Sequence, residues 1–542
     1  MSLDRAKKLG SSRRDEHLPV GPENQLTPYA RPTPLNKKLS SLVKEESPEF
    51  NSGGGGSSRG CTRTPRTRIL LALLLALTAC LPLSTHAAAT LADHMERNEP
   101  AKVAQLLQSG AEVNAAQPDG TTALIWAAHH ADADTVARLL AKGANPNVKN
   151  DFGMSPIALA CRNADLRSFE HLLAAGAKHD VKDAADVPLL FLAVRSGNAD
   201  LVARLVELGV DVNASIWPNQ TALMWAASEG HDIVVEFLIQ SGADPKASTK
   251  DGFTAIHFAA RAGHIPTIQH LLGAGVDVNT PMQWTGQKFF RDPLDQTSPL
   301  ILAIENAKYA AAIALLKAGA NPNDVRTGFT PLHTMTWVRK AHTGDGSDPE
   351  PINYGKITSI QFIDVLVEYG ADVNLRDKND ETPFFAAARR SDYEMMQRLV
   401  DHGADPKLVD KEGTTALHVA AGVGRGAEND QAGTQEEAIK SVALCLKLGL
   451  DINAVSKVGD TAMHGAAYGQ WPDMVHFLHE NGADIQVWNN LNKHRWSPLL
   501  IAQGYRWGNF KPSYDTIDAI EAVMAAQGVT LRYDPPEEKK GY

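Results

Sequence analysis

Beyond Thr90 the apolar positions of this chain recur in a frame of 33 residues. Thr122, Ser155, Pro188, Thr221 and Thr254 are equally spaced, and the segments they open read Thr122-Ala-Leu-Ile-Trp-Ala-Ala128, Ser155-Pro-Ile-Ala-Leu-Ala-Cys161, Thr221-Ala-Leu-Met-Trp-Ala-Ala227 and Thr254-Ala-Ile-His-Phe-Ala-Ala260. A glycine follows 21 residues after each opening residue, at Gly143, Gly176, Gly209, Gly242 and Gly275. The register continues through Ser298, Thr330, Thr382, Thr415, Thr461 and Ser497, so that eleven repeats follow a partial one at 90–118. A Thr or Ser ahead of an apolar run caps a helix by accepting from its free amides, and a following proline, as at Pro156, Pro299, Pro331, Pro383 and Pro498, suits the first turn. Paired alanines such as Ala127-Ala128 let a neighbouring hairpin approach closely. Val136, Leu139 and Leu140 give a second helix one apolar face, and the late glycine lets the chain leave that helix in a left-handed conformation. Asp119-Gly120, Asp251-Gly252 and Thr327-Gly328 mark the tight turn of a projecting finger. One such hairpin cannot bury its own faces, so stability must come from stacking.

The pattern resembles the ankyrin-repeat family over about 440 residues, from Thr90 to Val529. Thr330-Pro331-Leu332-His333 carries the family's motif intact, Thr415-Ala416-Leu417-His418 and Thr461-Ala462-Met463-His464 carry close forms, and Gly370-Ala371-Asp372-Val373-Asn374 matches the end of a repeat. The resemblance implies an all-α solenoid of eleven to twelve stacked helix-turn-helix repeats with β-turn fingers, spanning residues 88–529 and followed by a disordered tail at 530–542. It also assigns His257, His333, His418 and His464 to hydrogen bonding with finger backbone rather than to metal.

Four intervals exceed 33, by 11, 19, 13 and 3 residues. The distance from cap to glycine grows to 40, 34 and 31 after Thr330, Thr415 and Ser497, which places three inserts in the turn between the two helices of every second repeat, with bases about 20 Å apart. The inserted stretches are 282–296, 341–357, 422–437 and 504–513. The last holds Tyr505, Trp507 and Phe510 and, with Tyr514 just beyond, is expected to cover the end of the stack; the first, with Trp284, Phe289 and Phe290, lies on the finger side.

Charge divides the chain in two. The first 68 residues hold 13 Lys and Arg against 7 Asp and Glu, the remainder 40 against 56, within an overall charge of −10. An acidic body gives phosphate backbones and anionic lipid little to hold, so nucleic acid is not an expected partner. Residues 1–62, rich in Ser, Pro, Gly and charge, read as a disordered basic leader. In 63–87, Arg63, Arg66 and Arg68 precede an apolar run from Ile69 to Leu83, and Thr85-His86-Ala87 supplies small residues where a signal peptidase reads. The alternative is a lipoprotein signal, because Leu77-Thr78-Ala79-Cys80 resembles a bacterial lipobox in which Cys80 is lipidated. An uncleaved anchor or a fortuitous apolar stretch is a third reading. A signal placed so far into a chain also suggests a translation start further downstream. Of the four cysteines, Cys161 and Cys445 fall in packed helices of distant repeats, which argues against a disulfide framework.

In ankyrin proteins partners usually sit on the concave face formed by fingers and first helices, often at the two residues after the alanine pair. Here these are His129 and His130, Arg162 and Asn163, Arg195 and Ser196, Ser228 and Glu229, and Arg261 and Ala262, with Phe152, Trp217 and Phe253 at nearby finger tips. Arginine interleaved with aromatics is characteristic of protein interfaces, so Arg162, Arg195, Arg261, His129, Trp217 and Phe253 form the expected partner-binding set. The competing reading is a solvated row of arginines. Trp126, Leu159, Leu192, Trp225, Phe258 and Leu302 share one position of the first helix and are expected to pack between hairpins. His476 and His479 lack a third ligand, and Asp345-Gly346-Ser347-Asp348 lacks the full calcium-loop pattern. No nucleophile motif or phosphate-binding glycine loop appears. The expectation is therefore an exported bacterial scaffold without cofactor or metal, monomeric, periplasmic or secreted or held by a lipid on Cys80, binding a protein partner in the groove. The alternatives are a secreted effector with a foreign protein target, and a hydrolase or small-ligand binder whose site lies in the inserts near Tyr354, Trp507 and Phe510.

Overall fold

A computed structural model of the chain describes residues 89–216, 218–283, 295–340, 355–425, 433–506 and 511–535. The leader, the signal-like run with Cys80, Trp217, and the insert residues Trp284, Phe289, Phe290, Tyr354, Trp507 and Phe510 lie outside the described residues.

Each sequence frame builds a helical hairpin. Repeats are numbered 1 to 12 in chain order, from Leu91–Glu96 with Pro100–Gln108 to Pro498–Ala502 with Tyr514–Ala526. The opening threonines cap as expected: Thr122 accepts from the amide of Ile125 at 3.5 Å and Thr382 from that of Phe385 at 3.2 Å. Pro188 opens Leu189–Ser196 with no side-chain cap. Some second helices have side-chain caps of their own, from Asp or Asn in four repeats and from Thr358 and Thr434 in two more. Asp132, Asp165, Asn198 and Asp392 accept from the amides of Thr135, Ser168, Leu201 and Met395. At the far end Gly143 takes a φ of +89°, where a side chain would be strained.

Stacking follows from the small residues. Ala127-Ala128, Ala226-Ala227, Ala259-Ala260 and Ala387-Ala388 are fully buried, and first helices pack against first helices, second against second. Through the middle of the stack the first helices crowd closer together than the second helices do, so this part of the solenoid curves toward its first-helix side. Two backbone-directed ladders stitch the layers. Asn147 donates to Gly176 O and accepts from the amide of Lys178, and Asn213, Asn323, Asn374 and Asn453 do the same for their successors. Finger tips are joined directly: the amide of Asp151 donates to Asp119 O at 2.8 Å, and that of Lys378 to Gly328 O at 2.8 Å. Among the described residues the fingers carry one short antiparallel pair, Ser215–Ile216 against Gln220–Thr221, and single antiparallel bridges between Ala116 and Thr122, Lys182 and Pro188, and Ser248 and Thr254.

Three features differ from the sequence reading. The bases of two inserts lie closer than the layer spacing suggests, because Lys340 Nζ meets Glu437 Oε1 at 2.6 Å across the intervening repeat. The long second helix Gln435–Lys447 starts early enough to present that glutamate. Residues 530–535, assigned to the free tail, lie against the last repeat: Asn489 donates to Leu531 O, Tyr533 donates to Asn489 O, and Arg532 pairs with Glu521. The first-helix row also splits by size. Leu159, Leu192 and Leu302 are buried, whereas Trp126, Trp225 and Phe258 are too large to enter fully and keep an edge at the surface. Cys161 and Cys445 are free, buried thiols, and burial pushes both well above the ordinary thiol range. Among the described residues no helix is long and apolar enough to cross a membrane.

Candidate functional site

Helix capping and the 33-residue frame put the residue seven places after each cap at the same end of successive first helices, facing the fingers. In order these are His129, Arg162, Arg195, Ser228, Arg261, Glu305, Trp337 and Arg389. The arginines are not equivalent. Arg162 Nη2 lies 3.0 Å from Asp183 Oδ2, on the next finger. That carboxylate is buried and already accepts from the amides of Ala185 and Val187, so Arg162 is tied down. The residues 21 places after Arg195 and Arg261 are Ile216 and Met282, which offer no charge. Among the described residues neither arginine has a carboxylate within ion-pair distance, and both are exposed. Farther along, burial raises the Glu305 carboxyl to about 7, and Arg389 is paired with Glu381.

Beside Arg195 lies a concavity of about 250 Å³ lined by Arg195, Gln220, Trp225, Ser228, Glu229 and Phe258, together with Met224, and Arg261 stands one helical turn beyond Phe258 on the same helix. Its aromatic floor is held in place before any partner arrives. Trp225 donates its indole N–H to Gln220 Oε1 at 2.8 Å and meets the ring of Phe191 edge-on at 5.6 Å. Phe258 rests on Phe253, with centroids 5.2 Å apart. Phe253 is therefore half-buried support for the floor and not a free finger tip, while Phe152, on an earlier finger, is 64% exposed. His129 is exposed with its ring edge-on to Trp126 at 5.5 Å, and its neighbour His130 is bonded through Nε2 to Met95 O at 3.1 Å. The structure thus brings Arg195, Arg261 and Phe253 into one neighbourhood, leaves His129 two repeats away from Arg195, and commits Arg162 to a finger. Gln220, Trp225 and Phe258 are additions. The Trp and Phe stood in the row assigned to packing, and their bulk relative to the leucines of that row was the available signal.

The other polar clusters are structural. His257 Nδ1 accepts from the backbone amide of Thr254 at 3.2 Å, which leaves Nε2 to donate to Thr280 O at 3.0 Å. His418 repeats this with Thr415 and Ala454 O, and His333 reaches Glu381 O. Among the described residues no three His, Cys, Asp or Glu side chains converge as a metal site would need.

This geometry defines a solenoid of stacked helical hairpins with an open concavity on its first-helix side. The family description "Ankyrin repeats (3 copies)" matches residues 86–183, 190–282 and 354–428, and "Ankyrin repeat" matches 458–490. The chain belongs to the ankyrin-repeat proteins, whose fold is a general protein–protein interaction module and is typically non-catalytic. Among solved structures, the ankyrin repeat domain of human ASB11 is similar, at 23% identity over 47% of this chain and 96% of that one, with a TM-score of 0.36.

Proposed function

We propose that this protein is a non-catalytic scaffold outside the cytoplasm, and that it holds a protein partner on the groove of repeats 4 to 6. The observation that carries this reading is the pair of exposed arginines, Arg195 and Arg261, which among the described residues have no carboxylate partner and stand near the Trp225 and Phe258 floor, Arg195 lining it and Arg261 one turn beyond Phe258. Tryptophan and arginine sharing one patch are the residue types that dominate interaction hot spots. The extracytoplasmic part rests on the basic, apolar, small-residue order of 63–87, with cleavage after Ala87 or lipidation of Cys80 as its two forms, and on the bacterial character of that lipobox-like run.

Affinity capture from an envelope extract tests the reading, using the wild-type protein beside a variant with Arg195→Glu and Arg261→Glu. A partner retained by the first and lost by the second is the expected result. Arg162→Glu serves as a control that disturbs a finger contact without touching the concavity. Retention of the same partner by the double variant would remove the groove from consideration.

A further inference from the structure

The spacing of the groove residues constrains what can lie in it. Arg195 and Arg261 occupy the same helical position two layers apart, which at about 10 Å per layer separates them by about 20 Å. An extended strand rises about 3.3 Å per residue, so six residues cover that distance, and residues i, i+2, i+4 and i+6 face the same way. In the layer between the arginines the equivalent position is Ser228, uncharged and small, which lines the same concavity as Trp225 and Phe258. Glu229, one residue further along, would repel a carboxylate placed midway. The free groups therefore favour negative charge at the two ends of a segment, apolar side chains in its middle, and no acid between.

We propose that the groove of repeats 4 to 6 recognises an extended segment of a partner protein with carboxylates at i and i+6 and apolar side chains at i+2 and i+4. The carboxylates meet the guanidinium groups of Arg195 and Arg261, and the apolar pair lies over Trp225 and Phe258. Because Gln220 already satisfies the indole and Phe253 backs Phe258, the floor needs no rearrangement, and the ordering cost falls on the segment and on the two exposed arginines. This inference rests on the groove reading above and adds to it the chemistry of the partner.

The test is fluorescence polarisation of the full chain with a labelled peptide, Asp-Ser-Leu-Ser-Phe-Ser-Asp. Saturable binding is expected, weakened about tenfold by either Arg195→Glu or Arg261→Glu and by Trp225→Ala. A peptide of the same composition with its apolar residues moved by one position, onto the opposite face of the strand, should bind no better than the wild-type peptide binds the double arginine variant. So should an oligoglutamate of equal length. Equal binding of the register-shifted peptide, indifference to both arginine reversals, or no binding up to about 1 mM would each overturn the inference. If the peptide fails while capture of the natural partner still depends on Arg195 and Arg261, the groove reading stands and the spacing falls. If neither peptide nor partner responds to the arginines, both fall. Concentration-dependent self-association of the wild type, lost in the double variant, would instead give the groove to a second copy of this chain and overturn the inference.

Discussion

The imidazoles at the repeat junctions act as neutral connectors. In His257 and His418 one ring nitrogen accepts from a threonine amide while the other donates to a carbonyl of the next finger segment, so protonation would break the first of these bonds. Burial lowers His257 and His464 to about 4, and His333 and His418 in the same direction. The unfolded chain, with histidines near 6.5, therefore takes up protons first as the pH falls, and stability is full above about 6.5 and lost as the pH falls through about 4. Each of the two most shifted rings contributes on the order of 3 kcal/mol across that window. Thermal midpoints taken stepwise from pH 7.5 to 4 should drop steeply below 6.5, and His257→Gln should lower the midpoint at pH 7.5 while making the acid slope shallower. A slope unaltered by that substitution would contradict the assignment. The resemblance to ankyrin repeats made the structural role of these histidines legible. Their carbonyl partners were not, since those lie 23 to 48 residues away.

At the scale of the element, several second helices are anchored by a side-chain cap at their first turn. Asp392 shows how one cap can serve two purposes: it accepts from the amide of Met395 and also receives Arg339, whose Nε and Nη2 reach its two oxygens at 2.7 and 2.9 Å. The same guanidinium bonds Ser359 and Glu394, so the last turn of Pro331–Arg339 is fastened to the start of Ser359–Glu368 and of Tyr393–Asp401 at the mouth of the 341–357 insert. Both Arg339 and Asp392 are buried. Removing one partner should leave an uncompensated charge, so Arg339→Ala is expected to cost about 3 kcal/mol or more. Arg339→Met with Asp392→Ser, which removes both charges and keeps a capping oxygen, should recover part of that loss. Denaturant unfolding of the three proteins decides it, and equal stability of the single and double variants would show that the pair is not the cause. The helix pattern itself was readable from the 33-residue frame, because it is written in each hairpin's own residues. This cross-link was not, because its partners are 53 residues apart and separated by an insert.

For the whole molecule, the closeness of neighbouring layers decides how far disturbance travels. Repeats 10 and 11 approach through glycine: a Cβ on Gly465 would lie 2.9 Å from the carbonyl carbon of Ala421 and from the amide nitrogen of Val423, and one on Gly422 would lie 2.4 Å from Gly465 O. Gly465→Ala should therefore push the two layers apart, at about 2 kcal/mol. In a stack held by nearest-neighbour contacts this should free the C-terminal layers locally. Hydrogen exchange is expected to quicken in Pro472–Glu480 and Tyr514–Ala526 and to stay unchanged in Ala123–His129 through Ala199–Glu207. Uniform acceleration along the chain would mean that the stack unfolds as a single unit.

By itself the sequence determined the hairpins, most of the first-helix caps and the small residues that let the hairpins stack, because every one of those choices is made within a repeat or against its immediate neighbour. It also contained the difference between the arginines, in the carboxylate 21 residues after Arg162 and the apolar residues at the same distance from Arg195 and Arg261. Only the tertiary structure turned that difference into a candidate site. Whether a guanidinium is occupied depends on the reach of one side chain to a finger of the next layer. Likewise, whether a row of packing residues doubles as a groove floor depends on how much of Trp225 and Phe258 the neighbouring hairpins leave uncovered.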